Sequence, residues 1–180
     1  MTRTILITGA TDGIGRLTGR TLAAEGHTVL LHGRSADKLA AVARDMGGDP
    51  ETHLADFARL DEVAALAGAI LARHERLDVL INNAGVYKTP RTRTPAGLDI
   101  RFVVNAIAPY LLTRSLLPIL PQDGRVVNLS SAAQAPVDLA ALRGEVALDD
   151  MGAYAQSKLA ITIWTQELAR RHPEGPVFVA

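Results

Sequence analysis

The sequence contains no cysteine and no excess of charge of either sign. The absence of cysteine excludes disulfides, thiol catalysis and cysteine-based zinc sites. Lysine and arginine number 19, as do aspartate and glutamate, so charge gives no reason to expect nucleic acid or a membrane surface as a partner. No metal site is expected, because the histidines lack ligand spacing. They are interpreted as surface or boundary residues: His27, His32, His53, His74 and His172.

Long hydrophobic runs are also missing. No apolar stretch approaches the ~18 residues that a membrane-spanning helix needs. The start, Met1-Thr2-Arg3, leads straight into an apolar run, without the basic-then-apolar pattern of a secretion signal. We therefore expect a cytoplasmic protein, and its 180 residues suit a single domain, residues 1–180.

Short apolar runs alternate with helical patterns along the whole chain. Strands are predicted near 4–8, 28–33, 51–54, 77–82, 124–130 and 176–179, and helices near 13–25, 35–46, 59–74, 98–118 and 152–171. This alternation predicts an α/β domain with a parallel sheet and right-handed crossovers. Loops are predicted at 87–96 and 132–150, the second with a short helical turn, beside the strand ends where such sheets bind ligands. Their apolar side chains predict an apolar substrate: Tyr87, Pro90, Val137, Leu139, Leu142 and Met151.

The first strand ends in a glycine-rich turn that precedes a helix. Gly9, Gly13 and Gly15 would let the backbone approach a pyrophosphate, and the helix N-terminus favours negative charge. Their spacing, Gly-x-x-x-Gly-x-Gly, differs from the Gly-x-Gly-x-x-Gly of the standard dinucleotide fingerprint. A nucleotide site is favoured over a turn that merely connects strand to helix.

Polar or small residues follow the next three strands. Arg34 after the second strand would accommodate a 2′-phosphate and favours NADP over NAD, although Asp12 in the glycine-rich turn would repel a phosphate. Asp56 after the third strand could accept from an adenine amino group or cap the following helix. Asn82-Asn83-Ala84-Gly85 after the fourth strand permits close cofactor approach, or serves as a plain turn.

Tyr154 and Lys158 are four residues apart in the last predicted helix, so they share one helix face. A cation within ~4–6 Å favours an ionised phenol, whose ordinary pKa is ~10. A proton-transfer group works best when its pKa lies near the working pH. The pair therefore indicates acid–base chemistry.

Together these motifs resemble the short-chain dehydrogenase/reductase family, from Arg3 to the end of the chain. The sequence of 154–160, and the 23 positions from Ser131 to Tyr154, resemble the branch that contains retinol dehydrogenases and WW-domain oxidoreductases. The motifs that carry the family resemblance are Thr8-Gly9-x-x-x-Gly13-Ile14-Gly15, Asn82-Asn83-Ala84-Gly85, Asn105 within Val104-Asn105-Ala106, Ser130-Ser131 and Tyr154-x-x-x-Lys158.

The resemblance implies a Rossmann fold with strand order 3-2-1-4-5-6, and a role for each catalytic residue. Tyr154 would exchange a proton with the substrate oxygen, and Lys158 would lower the pKa of Tyr154 and hold the nicotinamide ribose. Ser131, with Ser130 as the other candidate, would polarise the substrate oxygen, and Asn105 would carry a water of the proton relay. The predicted cofactor-binding set is Gly9, Thr11, Asp12, Gly13, Ile14, Gly15, Arg34, Asp56, Phe57, Asn82, Ala84, Gly85, Tyr154 and Lys158.

The expected function is an NADP-dependent oxidoreductase, with NAD as the other possible cofactor, that acts on an apolar alcohol or carbonyl compound. The family continues beyond Ala180 with a Pro-Gly turn, a substrate-covering helix pair and a seventh strand, all absent from this sequence. Either these 180 residues are part of a longer enzyme, or the chain is a truncated relative. In the second case the alternative function is a truncated, catalytically weak nucleotide-binding or interaction module. Helices 98–118 and 152–171 pair in many relatives, so a homodimer or tetramer is expected. Three residues of the last helix are candidates for that interface or for the core: Ile161, Trp164 and Leu168.

Overall fold

The computed structural model describes residues 1–47 and 49–180 and contains one sheet of six parallel strands, in the order β3-β2-β1-β4-β5-β6. The predicted fold class and strand order are confirmed, and element ends differ from the prediction by a few residues. The strands are β1 (Thr4–Ile7), β2 (Thr28–Gly33), β3 (Thr52–Leu54), β4 (Val79–Asn82), β5 (Arg125–Asn128) and β6 (Val177–Val179). The helices are α1 (Gly13–Ala24), α2 (Ala36–Met46), α3 (Leu60–Arg73), α4 (Ile100–Phe102), α5 (Ala108–Leu116), α6 (Leu139–Leu142) and α7 (Asp150–Arg171).

The sheet separates two apolar clusters, because successive side chains along a strand point to opposite faces. On β1, Ile5 and Ile7 join the cluster beneath α1 and α2, whereas Leu6 joins the cluster beneath α3 and α5. Strands of a parallel sheet are apolar on both faces for this reason. The helices cover the faces of the sheet, and the carboxyl ends of the strands remain available for a site.

The fourth predicted helix is a composite of several helical types. After α4 come a π-helical turn (Val103–Ile107), then α5 and a 3₁₀ turn (Leu117–Ile119), which together form the continuous segment Ile100–Ile119. By length and composition this segment is long and apolar enough to cross a membrane, so the expectation that no stretch approaches that size is wrong. Its most apolar window is 56% buried inside the protein, as in a core helix, which passes the same test.

His32 and His53 are buried, which corrects their assignment to the surface or boundary. They are 3% and 8% exposed and lie opposite each other in the paired strands β2 and β3. Helices cover both faces of a parallel sheet, so even a polar residue within a strand becomes buried. Burial lowers the pKa of both imidazoles.

The two predicted loops contact each other. Residues 92–100 form a small hairpin in which Arg93 is bridged to Asp99, and the second loop contains the predicted short helical turn as α6. Arg93 Nη1 donates to the carbonyls of Gly97 and Gly144 at 2.5 and 2.9 Å, which ties the hairpin to the segment after α6.

Candidate active site

A cavity of about 690 Å³ lies at the carboxyl ends of β1 to β4. This is the edge at which parallel α/β sheets bind nucleotides. Its walls are the glycine-rich turn, the ends of β2 and β3, the segment after β4, and loop residues 89–91. Eight predicted cofactor-binding residues line it: Gly9, Thr11, Asp12, Arg34, Asp56, Phe57, Ala84 and Gly85.

Hydrogen bonds hold the start of the glycine-rich turn against the segment that follows β4. The buried Thr8 Oγ1 accepts from the N–H groups of Asn83 and Ala84, both at 3.0 Å. Asn83 Nδ2 donates back to the carbonyls of Thr8 and Gly9 at 2.9 and 3.0 Å. Gly9 has a φ of +66°, and a Cβ there would lie 2.9 Å from Ala84 Cα, so this approach requires glycine. Thr8 and Asn83 belong to the motifs that carry the family resemblance, but they are not among the predicted cofactor-binding residues. A hydroxyl directly after a buried strand and before glycine is the sequence signal that could have identified this contact.

The first turn of α1 adjoins the cavity. Asp12 caps the helix, because its Oδ1 accepts from the N–H of Gly13 at 2.8 Å. Open space surrounds Gly13, whereas a Cβ on Gly15 would overlap the carbonyl of Gly9. Ile14 is 69% exposed on the same turn. A helix N-terminus beside a glycine-lined wall suits a phosphate anion.

The cavity mouth carries more positive than negative charge. Three cationic side chains line it (Arg34, Lys38 and Arg91), together with two carboxylates (Asp12 and Asp56). Lys38 Nζ lies 3.8 Å from Asp12 Oδ2, so the carboxylate expected to repel a phosphate has a cationic neighbour. Both partners are largely exposed, so this ion pair contributes little to stability. Its effect is to offset part of the negative charge of Asp12 at the cavity.

His32 connects three walls of the cavity. Its Nδ1 accepts from the N–H of Gly9 at 3.3 Å, and its Nε2 donates to the carbonyl of Ala55 at 3.0 Å. The ring stacks on Phe57 with centroids 4.3 Å apart. Burial lowers the pKa of His32 to about 4, so the ring is neutral at pH 7. The neutral tautomer with hydrogen on Nε2 satisfies both hydrogen bonds.

Asp56 and Asn82 make contacts that differ from the predictions. Asp56 Oδ1 accepts from the N–H of Ala58 at 3.0 Å in the turn before α3, so it stabilises that turn rather than capping the helix. It still lines the cavity. The Asn82 side chain points into the core, where its Nδ2 donates to Thr113 Oγ1 at 3.0 Å and to Asn128 Oδ1 at 2.7 Å. The side chain of Asn82 therefore does not face the nucleotide cavity.

Tyr154 and Lys158 lie on one face of α7, as the spacing predicts. Lys158 Nζ is 5.7 Å from the centroid of the Tyr154 ring and donates to the carbonyl of Leu129 at 2.6 Å. Lys158 is 6% exposed, and this burial lowers the pKa of its ammonium group. Tyr87 meets the Tyr154 ring edge-on, with centroids 5.1 Å apart. A buried amine and a second aromatic ring therefore both lie beside the Tyr154 ring.

Asn105 lies in the π-helical turn and is completely buried. Its Oδ1 accepts from the N–H of Val86 at 2.8 Å, and its Nδ2 donates to the Val86 carbonyl at 2.9 Å and to Ser157 Oγ at 3.0 Å. A Cβ on Gly85 would lie 3.4 Å from Asn105 Oδ1 and 3.7 Å from Lys158 Nζ. Asn105, Lys158 and the end of β4 therefore meet around a residue without a side chain. Turns of π-helix are frequent at functional sites.

Ser130 and Ser131 have different partners. Ser130 Oγ lies 3.0 Å from the carbonyl of Lys158 and 2.7 Å from Thr162 Oγ1, so α7 occupies its hydroxyl group. Ser131 Oγ accepts from the N–H of Ala133 at 3.1 Å. Within the described chain, that contact leaves the hydroxyl hydrogen of Ser131 available for donation. The geometry thus favours Ser131 over Ser130.

Apolar residues of the second loop face away from this site. Val137, Leu139 and Leu142 line a separate groove of about 410 Å³, formed with α7 residues that include Ile163 and Trp164. The α7 residues of this groove lie on a different side of the helix from Tyr154 and Lys158. Ile163 and Trp164 follow Lys158 by five and six positions, and residues at that spacing do not share a helix face. The expectation that these three loop residues line the substrate pocket is therefore wrong.

Comparison with known proteins agrees with this architecture. The family described as short chain dehydrogenase matches residues 3–179. The chain is 37% identical to retinol dehydrogenase 13 of Homo sapiens, over 94% of this chain and 54% of the relative. It is 38% identical to polyprenol dehydrogenase of Mus musculus, over 93% and 54%. A metagenomic short-chain oxidoreductase solved in complex with NADP is 35% identical, with a TM-score of 0.79 over 99% of this chain and 80% of that one.

The predicted family resemblance is confirmed, including its branch, since retinol dehydrogenases are among the relatives. The chain spans about half the length of these curated relatives. The chain belongs to the short-chain dehydrogenase/reductase family, in its retinol dehydrogenase-like branch.

Proposed function

We propose that this chain carries the cofactor site and the catalytic residues of an NADP-dependent oxidoreductase, which transfers a hydride between nicotinamide and an apolar alcohol or carbonyl compound. The observation that carries this proposal is the meeting of Asn105 and Lys158 around Gly85, a residue that also lines the nucleotide cavity. Tyr154 lies over the same lysine. An acid–base group, a buried cation and a nucleotide cavity therefore adjoin one another.

The cavity residues fit a dinucleotide. Gly9 and Gly85 both line the cavity, and the absence of a side chain at each leaves room for a ligand beside the segment after β4. The N-terminus of α1 favours phosphate. Arg34 would pair with a 2′-phosphate, because β2 ends in Gly33 rather than in an acid that would repel it. The NADP in the metagenomic relative supports the same choice. When bound, the nicotinamide supplies or accepts the hydride.

The protein's own residues would transfer the proton to and from the substrate oxygen. Tyr154 would donate its phenolic proton to the substrate oxygen in reduction and remove one in oxidation. The ammonium of Lys158 would compensate the negative charge that develops on the phenol oxygen. Ser131 would donate to the substrate oxygen and polarise the carbonyl group. Asn105 would hold the water that links Lys158 to solvent.

Two features support an apolar substrate. Tyr87 is partly exposed beside the Tyr154 ring and offers an aromatic surface next to the acid–base group. Two relatives are named for the apolar alcohols retinol and polyprenol. An apolar substrate would also displace water from around the reacting atoms, which strengthens the electrostatic contacts there.

Two copies of the chain would pair through the groove on the outer face of α7. The lining of this groove is mainly apolar, and two of its residues are well exposed, Leu139 at 61% and Ile163 at 51%. Of the candidate interface residues, Ile161 belongs to the core at 1% exposure, while Trp164 and the largely buried Leu168 line the groove. Exposed apolar patches of this kind commonly mark protein contacts.

Oxidation of NADPH with a panel of apolar aldehydes and ketones tests the proposed activity. We expect Tyr154→Phe to lower turnover about a hundredfold or more, because a positioned acid contributes about 10²–10⁴-fold to the rate. The affinity for NADPH should be unchanged, since the phenol is not part of the nucleotide cavity. Tyr87→Phe, which keeps the aromatic ring and removes a hydroxyl, is the matched control and should retain turnover.

Two results would contradict the proposal. Undiminished turnover in Tyr154→Phe would mean that the proton comes from another group. Binding of NADPH by the wild-type chain without turnover of any carbonyl compound would indicate the alternative function, a nucleotide-binding or interaction module.

A further inference from the structure

Arg101 is a buried cation on α4 whose side chain reaches the start of α7, and 1% of its surface is exposed. A charge in the protein interior is costly unless well-placed partners compensate it. Asp99 is such a partner, because its Oδ1 and Oδ2 accept from Arg101 Nε and Nη2 at 2.8 and 2.6 Å. The remaining nitrogen, Nη1, donates to Asp150. The planar guanidinium thus joins two carboxylates from different elements, which the single ammonium of a lysine does less well.

These two carboxylates mark the starts of the two helical segments that carry the candidate catalytic residues. Asp99 caps α4, where it also accepts from the N–H of Arg101 at 2.9 Å. Asp150 is the first residue of α7. Residues four positions apart lie on one helix face, so Arg101 precedes Asn105 by about one turn, and Asp150 precedes Tyr154 by one turn.

A second polar contact joins the same two segments one turn further along. Asn105 Nδ2 donates to Ser157 Oγ at 3.0 Å, and Ser157 Oγ donates to the carbonyl of Tyr154 at 2.7 Å. The Arg101–Asp150 pair and the Asn105–Ser157 hydrogen bond are therefore successive cross-links between the segments. The first of them holds the very start of α7, where the helix lacks its own preceding turn and where the long loop at 132–149 arrives.

We infer that Arg101 is a positioning residue, which acts through Asp150 to fix Tyr154 relative to Asn105 and Gly85. The kinetic consequence of this inference rests on the proposed oxidoreductase function, whereas its structural consequence does not. Loosening the start of α7 would move the phenol and leave the nucleotide cavity intact, since neither Arg101 nor Asp150 is among the described residues that line it. A displacement of about 1 Å in a reacting group costs up to about 10²-fold in rate.

Asp150→Asn is the test variant, and Asp149→Asn is its matched control. The Asp150 side chain is 45% exposed, and its replacement leaves Arg101 paired with Asp99, so the variant should fold. Asp149 caps α7 by accepting from the N–H of Gly152 at 2.6 Å, and asparagine caps helices as well as aspartate does. Both variants remove one negative charge from the start of α7, but only Asp150→Asn replaces the ion pair with Arg101 by a weaker hydrogen bond to a neutral amide oxygen.

The expected result is a loss of kcat without a loss of cofactor binding. In Asp150→Asn, kcat should fall about tenfold while the Kd for NADPH stays within about twofold of wild type. Asp149→Asn should match the wild type in both quantities. Asp150→Glu retains the carboxylate and should recover most of kcat, whereas Arg101→Lys should resemble Asp150→Asn.

Amide hydrogen exchange, measured by mass spectrometry, provides a readout that does not depend on turnover. Exchange in residues 150–158 should be faster in Asp150→Asn than in Asp149→Asn, with α2 unchanged. If the wild-type chain turns over no carbonyl compound, the proposed activity fails, and the exchange data still test the cross-link. Equal kcat and equal exchange in the two variants would overturn the inference. Faster exchange throughout the protein would also overturn it, because the effect would then be general destabilisation.

Discussion

Arg34 is the residue on which the proposed preference for NADP over NAD depends. It is exposed where β2 ends, at the mouth of the nucleotide cavity. The residue before it is Gly33, so this strand end presents a cation and no acid. Lys38, the next cation along the chain at this mouth, already lies 3.8 Å from Asp12. Arg34 is therefore the better placed of the two to bind a 2′-phosphate.

Arg34→Ala should weaken the binding of NADPH about tenfold or more and leave the binding of NADH nearly unchanged, because a hydrogen bond to a charged group contributes about 1.5–3 kcal/mol. Calorimetric titration with both nucleotides measures the two affinities. Arg44→Ala removes another exposed cation, on α2 and outside the cavity lining, and should alter neither affinity. A similar loss for NADPH and NADH in Arg34→Ala would refute the assignment.

Residue roles that follow from local spacing could be predicted from the sequence, whereas roles that need a distant partner could not. Tyr154 and Lys158 are one helical turn apart, so their proximity follows from the helix itself. Thr8 and Asn83 are 75 positions apart, and their contact exists only once β1 and β4 are neighbours. Asn82 was assigned to the cofactor for its place in a motif, yet side chains alternate along a strand and this one points to the core.

At the scale of elements, His32 links β2 to the glycine-rich turn and to the end of β3. Protonation of its Nδ1 would remove the acceptor for the N–H of Gly9. Burial lowers the pKa of His32 in the folded protein to about 4, whereas an unfolded histidine has a pKa of about 6.5. The unfolded chain therefore binds more protons between these values, and the stabilisation is complete above about pH 6.5 and is lost as the pH falls towards 4.

His32→Gln should make the free energy of unfolding less dependent on pH. Between pH 7 and 4.5 the wild-type protein should lose about 2–3 kcal/mol more than the variant, an order-of-magnitude value from the shift of the His32 pKa to about 4. Urea unfolding followed by circular dichroism across this range measures the difference. Parallel pH curves for the two proteins would contradict the role assigned to His32.

The elements themselves were predictable because apolar periodicity differs between buried strands and amphipathic helices. Every predicted strand and helix is present, and caps such as Ser35 before α2 explain where helices begin. The π-helical turn at Val103–Ile107 was not predictable, because its apolar sequence also suits a regular helix. The contacts of Asn105 with Val86 and Ser157 accompany that turn, and both partners come from other parts of the chain.

In the molecule as a whole, α7 contributes to two separate features, the candidate active site on one face and an apolar groove on another. One face carries Tyr154 and Lys158 to the site, and the other forms the apolar groove with α5 and α6. The sequence predicted an apolar second loop, but it could not show that α6 directs Leu139 and Leu142 into that groove. A helix of four residues is too short for its apolar periodicity to show which neighbour it faces.

Ile163→Glu should abolish the proposed pairing of two chains, because it would bury a carboxylate in a mainly apolar interface. Light scattering coupled to size-exclusion chromatography measures the molar mass. Leu71→Glu places the same charge on α3, at a residue that is 39% exposed and outside the groove, and should leave the mass unchanged. A wild-type chain that is monomeric at all accessible concentrations would contradict the pairing.

Isotope labelling can follow the proposed hydride transfer from NADPH to the substrate carbon. NADPH that carries deuterium on one face of C4 is incubated with an apolar aldehyde or ketone, and the alcohol product is analysed by mass spectrometry. Two NADPH samples are compared, each labelled on a different face of C4. We expect deuterium on the former carbonyl carbon from only one of them, and loss of that product in Tyr154→Phe. An unlabelled alcohol from both cofactors, or no alcohol at all, would contradict it.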